Sequence, residues 1–278
     1  MPALPAWFAG LFCAMPELAE VEYFRRQWDA GIGHRVLKTS LHPGKYLFRE
    51  TDTASLRRNL IGARLLRSES RGKRMLFCFS GDNWLGLHLG MTGKLLVEPA
   101  RFRPAKHDHL VLYQRHQALV FTDSRQFGRV QFHHGKEDPT WWGPATPEIA
   151  SASFRRAFFE HFLKRHSNAP IKAVLLMQSG FSGIGNWMAD EILWRAKVLP
   201  SKITRSLCPK ERAAVFRATR FVARESLRIM APDLSDPPKN WLIHERWRAG
   251  GKCPRHGTVL RRARIGGRTT AWCPRCQR

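Results

Sequence analysis

The stretch Met15-Pro16-Glu17-Leu18-Ala19-Glu20-Val21-Glu22 sets a proline directly after a methionine and follows it with three carboxylates. Two readings are open. In the first it is an ordinary helix start, with proline in the first turn and glutamate near the positive end of the helix dipole. In the second, removal of Met15 leaves Pro16 with a free secondary amine. An α-amine ionises near about pH 8, so a fraction is an uncharged nucleophile at neutral pH. Attack of that amine on a sugar C1′ gives an iminium, an electron sink for later eliminations. Glu17 then stands beside it to protonate a leaving or ring oxygen.

Upstream, residues 1–14 (MPALPAWFAGLFCA) are apolar and carry no charged side chain. They lack the basic segment that opens a signal peptide, and while attached they keep the Pro16 nitrogen an amide. They are read as an N-terminal extension, an upstream start or a removable leader, absent from the active form. Downstream, Leu18, Val21, Phe24 and Trp28 approximate a 3.6-residue period that Gly31 ends, so a helix is expected over 17–31. Short apolar runs follow from about 34 to 135, such as Arg74–Phe79, Leu85–Leu89, Leu110–Tyr113 and Ala118–Phe121. Their hairpin-like spacing suggests an antiparallel sandwich or barrel. Pro139 to Pro147 reads as an interdomain linker. Helical texture occupies 150 to 230, at Phe154–Arg165, Ile171–Ser179, Trp187–Ala196 and Pro209–Met230. The expected fold class is α+β. A helix-led β-sandwich spans 15–138, a linker 139–149, a helical domain 150–250 and a cysteine-bearing hairpin 251–278.

The 278 residues include 47 Lys+Arg against 22 Asp+Glu, a net charge of +25 spread along the chain. A polyanion, most simply nucleic acid, is the partner this implies. No apolar run is long enough to span a bilayer, and no long basic amphipathic helix suggests a membrane-surface role. Six cysteines, three of them near the C-terminus, do not make a disulfide framework in a chain of this size. A reducing cytoplasm fits them better.

At the C-terminus, Cys253-Pro-Arg-His256 is followed after sixteen residues by Cys273-Pro-Arg-Cys276. Two such pairs suit one tetrahedral structural zinc ion between two knuckles, with Cys253, His256, Cys273 and Cys276 as ligands. A four-cysteine set is the commoner form, and the reach of an imidazole differs from that of a thiolate. Arg261, Arg262, Arg264 and Arg268 between the pairs would present guanidinium forks to phosphates. The run Gly180-Phe-Ser-Gly183-Ile-Gly185-Asn186-Trp-Met-Ala-Asp-Glu191 opens a helix with close-approach glycines. Asn186 there is either an anion-facing group or a plain N-cap. Ser70–Arg74 is a basic hairpin tip or a solvated turn. Asp123–Arg129 offers Arg125 and Phe127, which wedge a base stack or, for the Phe, plug the sandwich edge. Met91 has the same two readings.

These pieces, in this order, resemble the bacterial formamidopyrimidine-DNA glycosylase family, which includes the endonuclease VIII enzymes. The resemblance runs from Pro16 to the C-terminus. It implies a DNA glycosylase with AP-lyase activity that excises oxidised bases and cleaves the strand by β,δ-elimination. It implies Pro16 as the Schiff-base nucleophile, Glu17 as the acid for sugar ring opening and Glu20 as a positioning carboxylate. Lys73 matches a hairpin lysine that contacts DNA and assists elimination, and His107 a DNA-contacting histidine. Met91, Arg125 and Phe127 match the trio that fills the gap left by a flipped nucleotide. Lys172, Asn186 and Arg268 match groups that grip the flanking phosphates. The implied partner is double-stranded DNA with oxidised bases or abasic sites, bound by a monomer at the nucleoid of a bacterial cytoplasm. Three departures stand out: the leader, His256 in place of a cysteine, and the short Pro-rich segment after Met230. That segment lacks the glycine-rich loop that caps 8-oxoguanine, so formamidopyrimidines or oxidised pyrimidines are the expected substrates, with Trp241 as a candidate base-stacking group. The rival reading is a non-catalytic binder of damaged DNA, which needs neither Pro16 nor Glu17.

Overall fold

The computed structural model describes residues 16–42, 45–143 and 146–278. The chain forms two compact units, residues 20–145 and residues up to 19 together with 146–278. The leader lies outside the described residues.

The first unit begins with α1 (Leu18–Gln27), continued by a 3₁₀ turn, Trp28–Gly31. Arg25 and Arg26 near its end sit one turn from Glu22 and bond it at 2.8–2.9 Å. Burial alone would raise Glu22, but those guanidiniums and the Ser70 hydroxyl bring it down to about 2. Glu22, the third carboxylate of the opening stretch, is thereby a strut that ties α1 to the strand carrying Ser70. Two four-stranded antiparallel sheets follow. One has the order β1 (Lys38–Leu41), β6 (Asp108–Tyr113), β7 (Gln117–Thr122), β5 (Lys94–Pro99). The other has the order β2 (Leu65–Arg71), β3 (Arg74–Phe79), β4 (Asn83–His88), β8 (Arg129–His134). A short helix, α2 (Thr53–Leu60), precedes β2 and is N-capped by Asp52.

The period-2 alternation explains the sandwich. Met75, Phe77, Leu85 and Leu87 of one sheet, and Leu95, Leu110, Leu112, Leu119 and Phe121 of the other, are all buried. Trp28 packs at a tilt against Phe77, ring centroids 4.9 Å apart, and donates its indole N–H to the Leu96 carbonyl. The outer faces are covered too, which is why β3 reads as a continuous apolar run. Val111, Ala118 and Val120 form one outer cluster. Leu76 and Cys78 form the other, under Trp142, with Trp84 and Trp141 beside them. The first part of the expected linker is therefore folded onto the sheet as a 3₁₀ turn, Thr140–Trp142.

The second unit carries α3 (Arg156–Arg165), α4 (Ile171–Leu175), α5 (Asn186–Ala196), α6 (Pro209–Met230) and α7 (Ile243–Arg246). Beside a smaller cluster of Trp194, Leu242, Leu260 and Ala271 with Cys253 and Cys273, its main core is centred on Phe154, Phe159, Phe181, Trp187, Met188 and Ile192. Leu18 and Ala19 join the main core. A hairpin of β9 (Arg261–Ile265) and β10 (Arg268–Trp272) ends the chain.

Candidate active site and zinc hairpin

Pro16 is partly exposed and stands just before α1. Glu17 is 1 % exposed. Its Oε2 accepts the backbone N–H groups of Gly185 (2.9 Å) and Met188 (3.1 Å), and its Oε1 that of Trp187 (2.9 Å). These are donors that a helix N-terminus leaves without intrahelical partners. Gly185 is the N-cap of α5 and has no side chain to offer, so Glu17 supplies the cap from outside the helix. A Cβ at Gly185 would lie 2.3 Å from the Glu17 carboxyl carbon, which demands glycine there. Gly183, at φ +97°, accepts the Leu18 N–H through its carbonyl at 3.1 Å. The two glycines thus hold the Pro-Glu stretch against the start of α5. Three N–H donors at the positive end of the α5 dipole thus fix the position of both carboxylate oxygens.

Asn186, the first residue of α5, does not cap the helix. Its Nδ2 donates to the Thr269 carbonyl of β10 at 2.9 Å, and its Oδ1 is buried without a hydrogen-bond partner. Arg268, next to Thr269, is exposed. The glycine-rich turn and the hairpin arginine are therefore joined through one carbonyl.

Lys172 requires a correction. It is fully buried, and its ammonium pairs with Asp190 and donates to the Asn186 carbonyl. Burial pulls it below its usual value, with Asp190 pulling the other way. An ammonium so enclosed is not available to a DNA phosphate. Asp190 also accepts from Arg246 Nε at 3.0 Å and Nη2 at 2.6 Å, and from the Ala271 N–H at 3.1 Å. It is the hub that ties α4, α5, α7 and β10 together. Asp190 stands within the glycine-rich motif, but its role is not legible from sequence, because all its partners are remote along the chain. The expected base-stacking role of Trp241 also needs correcting. It is 3 % exposed, within 6.3 Å of Trp187 and under the Arg195 guanidinium at 4.7 Å. Its ring is spent on the core.

Within the first unit, Met91, Arg125 and Phe127 are brought together on adjacent loops. Asp123 organises them. Its Oδ1 accepts the Thr92 hydroxyl at 2.5 Å and the Arg125 N–H at 3.2 Å, and its Oδ2 the Gly128 N–H at 2.8 Å. A Cβ at Gly90 would lie 2.4 Å from the Phe127 backbone, so the two loops touch. Phe127 is 51 % exposed, with the Arg125 guanidinium 4.9 Å above its ring. It is a projecting ring, not a plug in the sandwich edge. His107 is partly exposed, its carbonyl accepts the Asp123 N–H at 2.9 Å, and its Nδ1 is buried without a partner. Lys73 lies in the β2–β3 turn and Glu20 on α1, 8 % and 3 % exposed.

In the hairpin, the sulfurs of Cys253, Cys273 and Cys276 lie within 4.8 Å of one another. Burial would raise Cys253, yet the Trp194 indole N–H at 3.3 Å and nearby backbone N–H groups bring it below its usual value. Burial, with the neighbouring thiols, pushes Cys276 up to about 12. A converging thiol triad with N–H groups turned on one sulfur suits a single structural zinc ion. His256 is placed apart from this triad. It is exposed, and only its backbone N–H, bonded to the Cys253 carbonyl at 3.2 Å, belongs to the knuckle.

Three family models match the chain in succession. They describe the formamidopyrimidine-DNA glycosylase N-terminal domain (residues 15–130), its H2TH domain (145–236), and a zinc finger found in FPG and IleRS (250–278). Fold and site together define a helix-two-turn-helix DNA glycosylase with a zinc hairpin. A formamidopyrimidine-DNA glycosylase of Thermus thermophilus is 34 % identical over 276 residues, 95 % of this chain and 98 % of that protein. One from Carboxydothermus hydrogenoformans is 32 % identical over 276 residues, 95 % and 100 %. The Lactococcus lactis enzyme bound to DNA containing an oxidised pyrimidine superposes with a TM-score of 0.85 at 26 % identity, covering 95 % of this chain and all of that one. The chain belongs to the formamidopyrimidine-DNA glycosylase family and is a bifunctional DNA glycosylase and AP lyase. Among the described residues no helix is long and apolar enough to cross a membrane.

Proposed function

We propose that the active form begins at Pro16 and excises oxidised bases from double-stranded DNA by Schiff-base chemistry. The observation that carries this is the Glu17 carboxylate, fixed by three N–H donors beside Pro16. The proline amine arrives largely protonated at neutral pH. Glu17 takes that proton and delivers it to the sugar ring oxygen as the nitrogen attacks C1′. The C1′–O4′ bond opens, the nitrogen's second proton passes to the departing base as the C1′–N bond breaks, and an iminium remains. Loss of a C2′ proton then expels the 3′ oxygen, and a second elimination expels the 5′ oxygen. Support for the start comes from the N-terminal domain model, whose match begins at residue 15, and from relatives that match 95 % of this chain while spanning 98–100 % of their own. Lys73 and Glu20 assist these steps. Asn186 and Arg268 hold the flanking phosphates, with Lys172 supporting Asn186 from behind rather than touching DNA. Met91, Arg125, Phe127 and His107 hold the duplex around an extruded base. The division into 15–138, 150–250 and 251–278 is kept as the domain assignment, and a monomer in a reducing compartment as the working form. Borohydride trapping on abasic duplex tests the reading: a covalent adduct is expected, and binding without any adduct would favour the non-catalytic binder.

Binding should depend steeply on salt. With about five phosphates neutralised, log K is expected to fall with log salt at a slope of roughly −4 to −5. Titration on abasic duplex at several salt concentrations measures it, and a slope shallower than about −1.5 contradicts a phosphate-dominated clamp.

We further propose His256 as the fourth zinc ligand, reached by rotation of its exposed ring toward the thiol triad. Moving a ring into place costs side-chain freedom. His256→Cys is therefore expected to hold zinc more tightly, by about tenfold, or some 1.4 kcal/mol. Competition with a chromogenic chelator reads this, and unchanged affinity in both His256→Cys and His256→Ala would exclude His256 from the ligand set.

A further inference from the structure

The tip of the β2–β3 hairpin poses an electrostatic problem. Arg71 and Arg74 are cross-strand partners in the last pair before the Gly72-Lys73 turn. Like charges directly opposite on a sheet repel, and Lys73 adds a third cation between them. Glu69 on the same strand offsets part of the Arg71 charge, its Oε2 lying 3.7 Å from Nη2, and the Thr140–Trp142 turn answers the rest. Arg74 Nη1 donates to the Trp141 carbonyl at 2.6 Å. Arg71 Nη1 donates to the carbonyls of Trp142 at 3.5 Å and Gly143 at 3.3 Å. Both guanidiniums lie over the Trp142 ring, at 4.6 and 5.5 Å from its centroid. The Trp142 indole N–H, by contrast, is buried with no hydrogen-bond partner. The ring is used for its face and its bulk. Gly86 makes room for the strap, since a Cβ there would lie 2.6 Å from the Trp141 ring. His88, opposite Arg74 on β4, adds no charge. Burial and the charges of Lys73, Arg49 and Arg74 lower it to about 4, and its Nδ1 accepts the Gly90 N–H at 3.0 Å.

We propose that Trp142 is a positioning residue for Lys73: its ring and the carbonyls of its turn absorb the Arg71–Arg74 repulsion and hold the hairpin tip in the geometry that elimination requires. The inference rests on the reading that Lys73 assists elimination. It assigns a function to the Trp-Trp pair that glycosylase chemistry by itself does not need.

The test uses the zinc-loaded protein beginning at Pro16, on duplex with a preformed abasic site. Trp142→Met leaves a smaller, adaptable apolar side chain and removes the ring face. It is expected to lower kcat for strand cleavage about tenfold with KM nearly unchanged, as a misplaced group does. Arg71→Gln in the Trp142→Met background removes one repelling cation and is expected to restore most of the rate, which no loss of packing alone would allow. Lys73→Met should be slow by itself, and adding Trp142→Met to it should slow it little further, because the two act through one group. Multiplying effects, or no restoration by Arg71→Gln, would overturn the proposal. Should Trp142→Met fail to fold, Gly86→Ala, which pushes the Trp141 ring off the sheet, serves instead; a wild-type rate in it counts against the strap. A wild-type rate in Lys73→Met would show that the underlying reading of Lys73 is what failed, and this inference with it.

Discussion

Glu17→Gln is expected to slow base excision by roughly 10²–10⁴-fold, the usual worth of a positioned proton-transfer group. Glutamine is isosteric but cannot accept the amine's proton. The structure adds a second consequence. The Glu17 carboxylate accepts three backbone N–H groups with two oxygens. A glutamine has one acceptor oxygen and turns an NH₂ toward at least one N–H of α5. That mismatch is worth about 1–2 kcal/mol, as for a lost helix cap. The two effects separate by magnitude. A loss of 10²–10⁴ corresponds to roughly 3–5 kcal/mol in the barrier, whereas the cap loss leaves a domain of ordinary stability folded. Single-turnover excision at saturating enzyme, beside a thermal melt, distinguishes them. Near-normal excision with a lowered melting temperature would make Glu17 a helix cap alone and send the proton elsewhere.

That double duty is not visible in the sequence. Both roles of the opening stretch, helix start and catalytic pair, are open from its residues, but the donors lie 168, 170 and 171 positions away. Gly183 and Gly185 are legible as close-approach positions, while what approaches them is not. The same limit explains Lys172. A lysine just after Pro170 and Ile171 in a basic chain reads as a phosphate group, and only the fold reveals Asp190 beside it, eighteen residues on. The zinc hairpin is legible almost whole, because knuckle geometry is set by pairs separated by two residues and three of its four expected ligands converge. The fourth is not, since spacing fixes where the backbone of His256 turns but not where its ring points. β3 and β7 are legible as apolar runs. The short β1 and the mixed β2, which carry Thr, Ser, Glu and Arg, are hidden. Trp141 and Trp142 read as part of a linker because Pro and Gly flank them, and their packing depends on a glycine in a distant strand.

The largest effect belongs to the N-terminus. An internal proline nitrogen is a tertiary amide whose lone pair is delocalised into the carbonyl. It neither attacks C1′ nor forms an iminium. A chain beginning at Met15, from which the methionine is removed, should therefore form a borohydride-stable adduct on abasic duplex. A chain with a Gly-Ser extension retained ahead of Pro16, its mass verified, should form none and excise no base. Binding should persist in both, because Asn186, Arg268 and the Arg125–Phe127 loop do not involve the amine. The full 278-residue chain should behave like the extended one until residues 1–15 are lost, which intact-mass analysis follows directly. An adduct on the intact full-length chain would place the nucleophile on another amine, with Lys73 the first to examine. Peptide mapping of the reduced adduct would then decide. A label on the peptide starting at Pro16 upholds the proline mechanism, and a label on the Gly72-Lys73 turn moves the Schiff base to the hairpin.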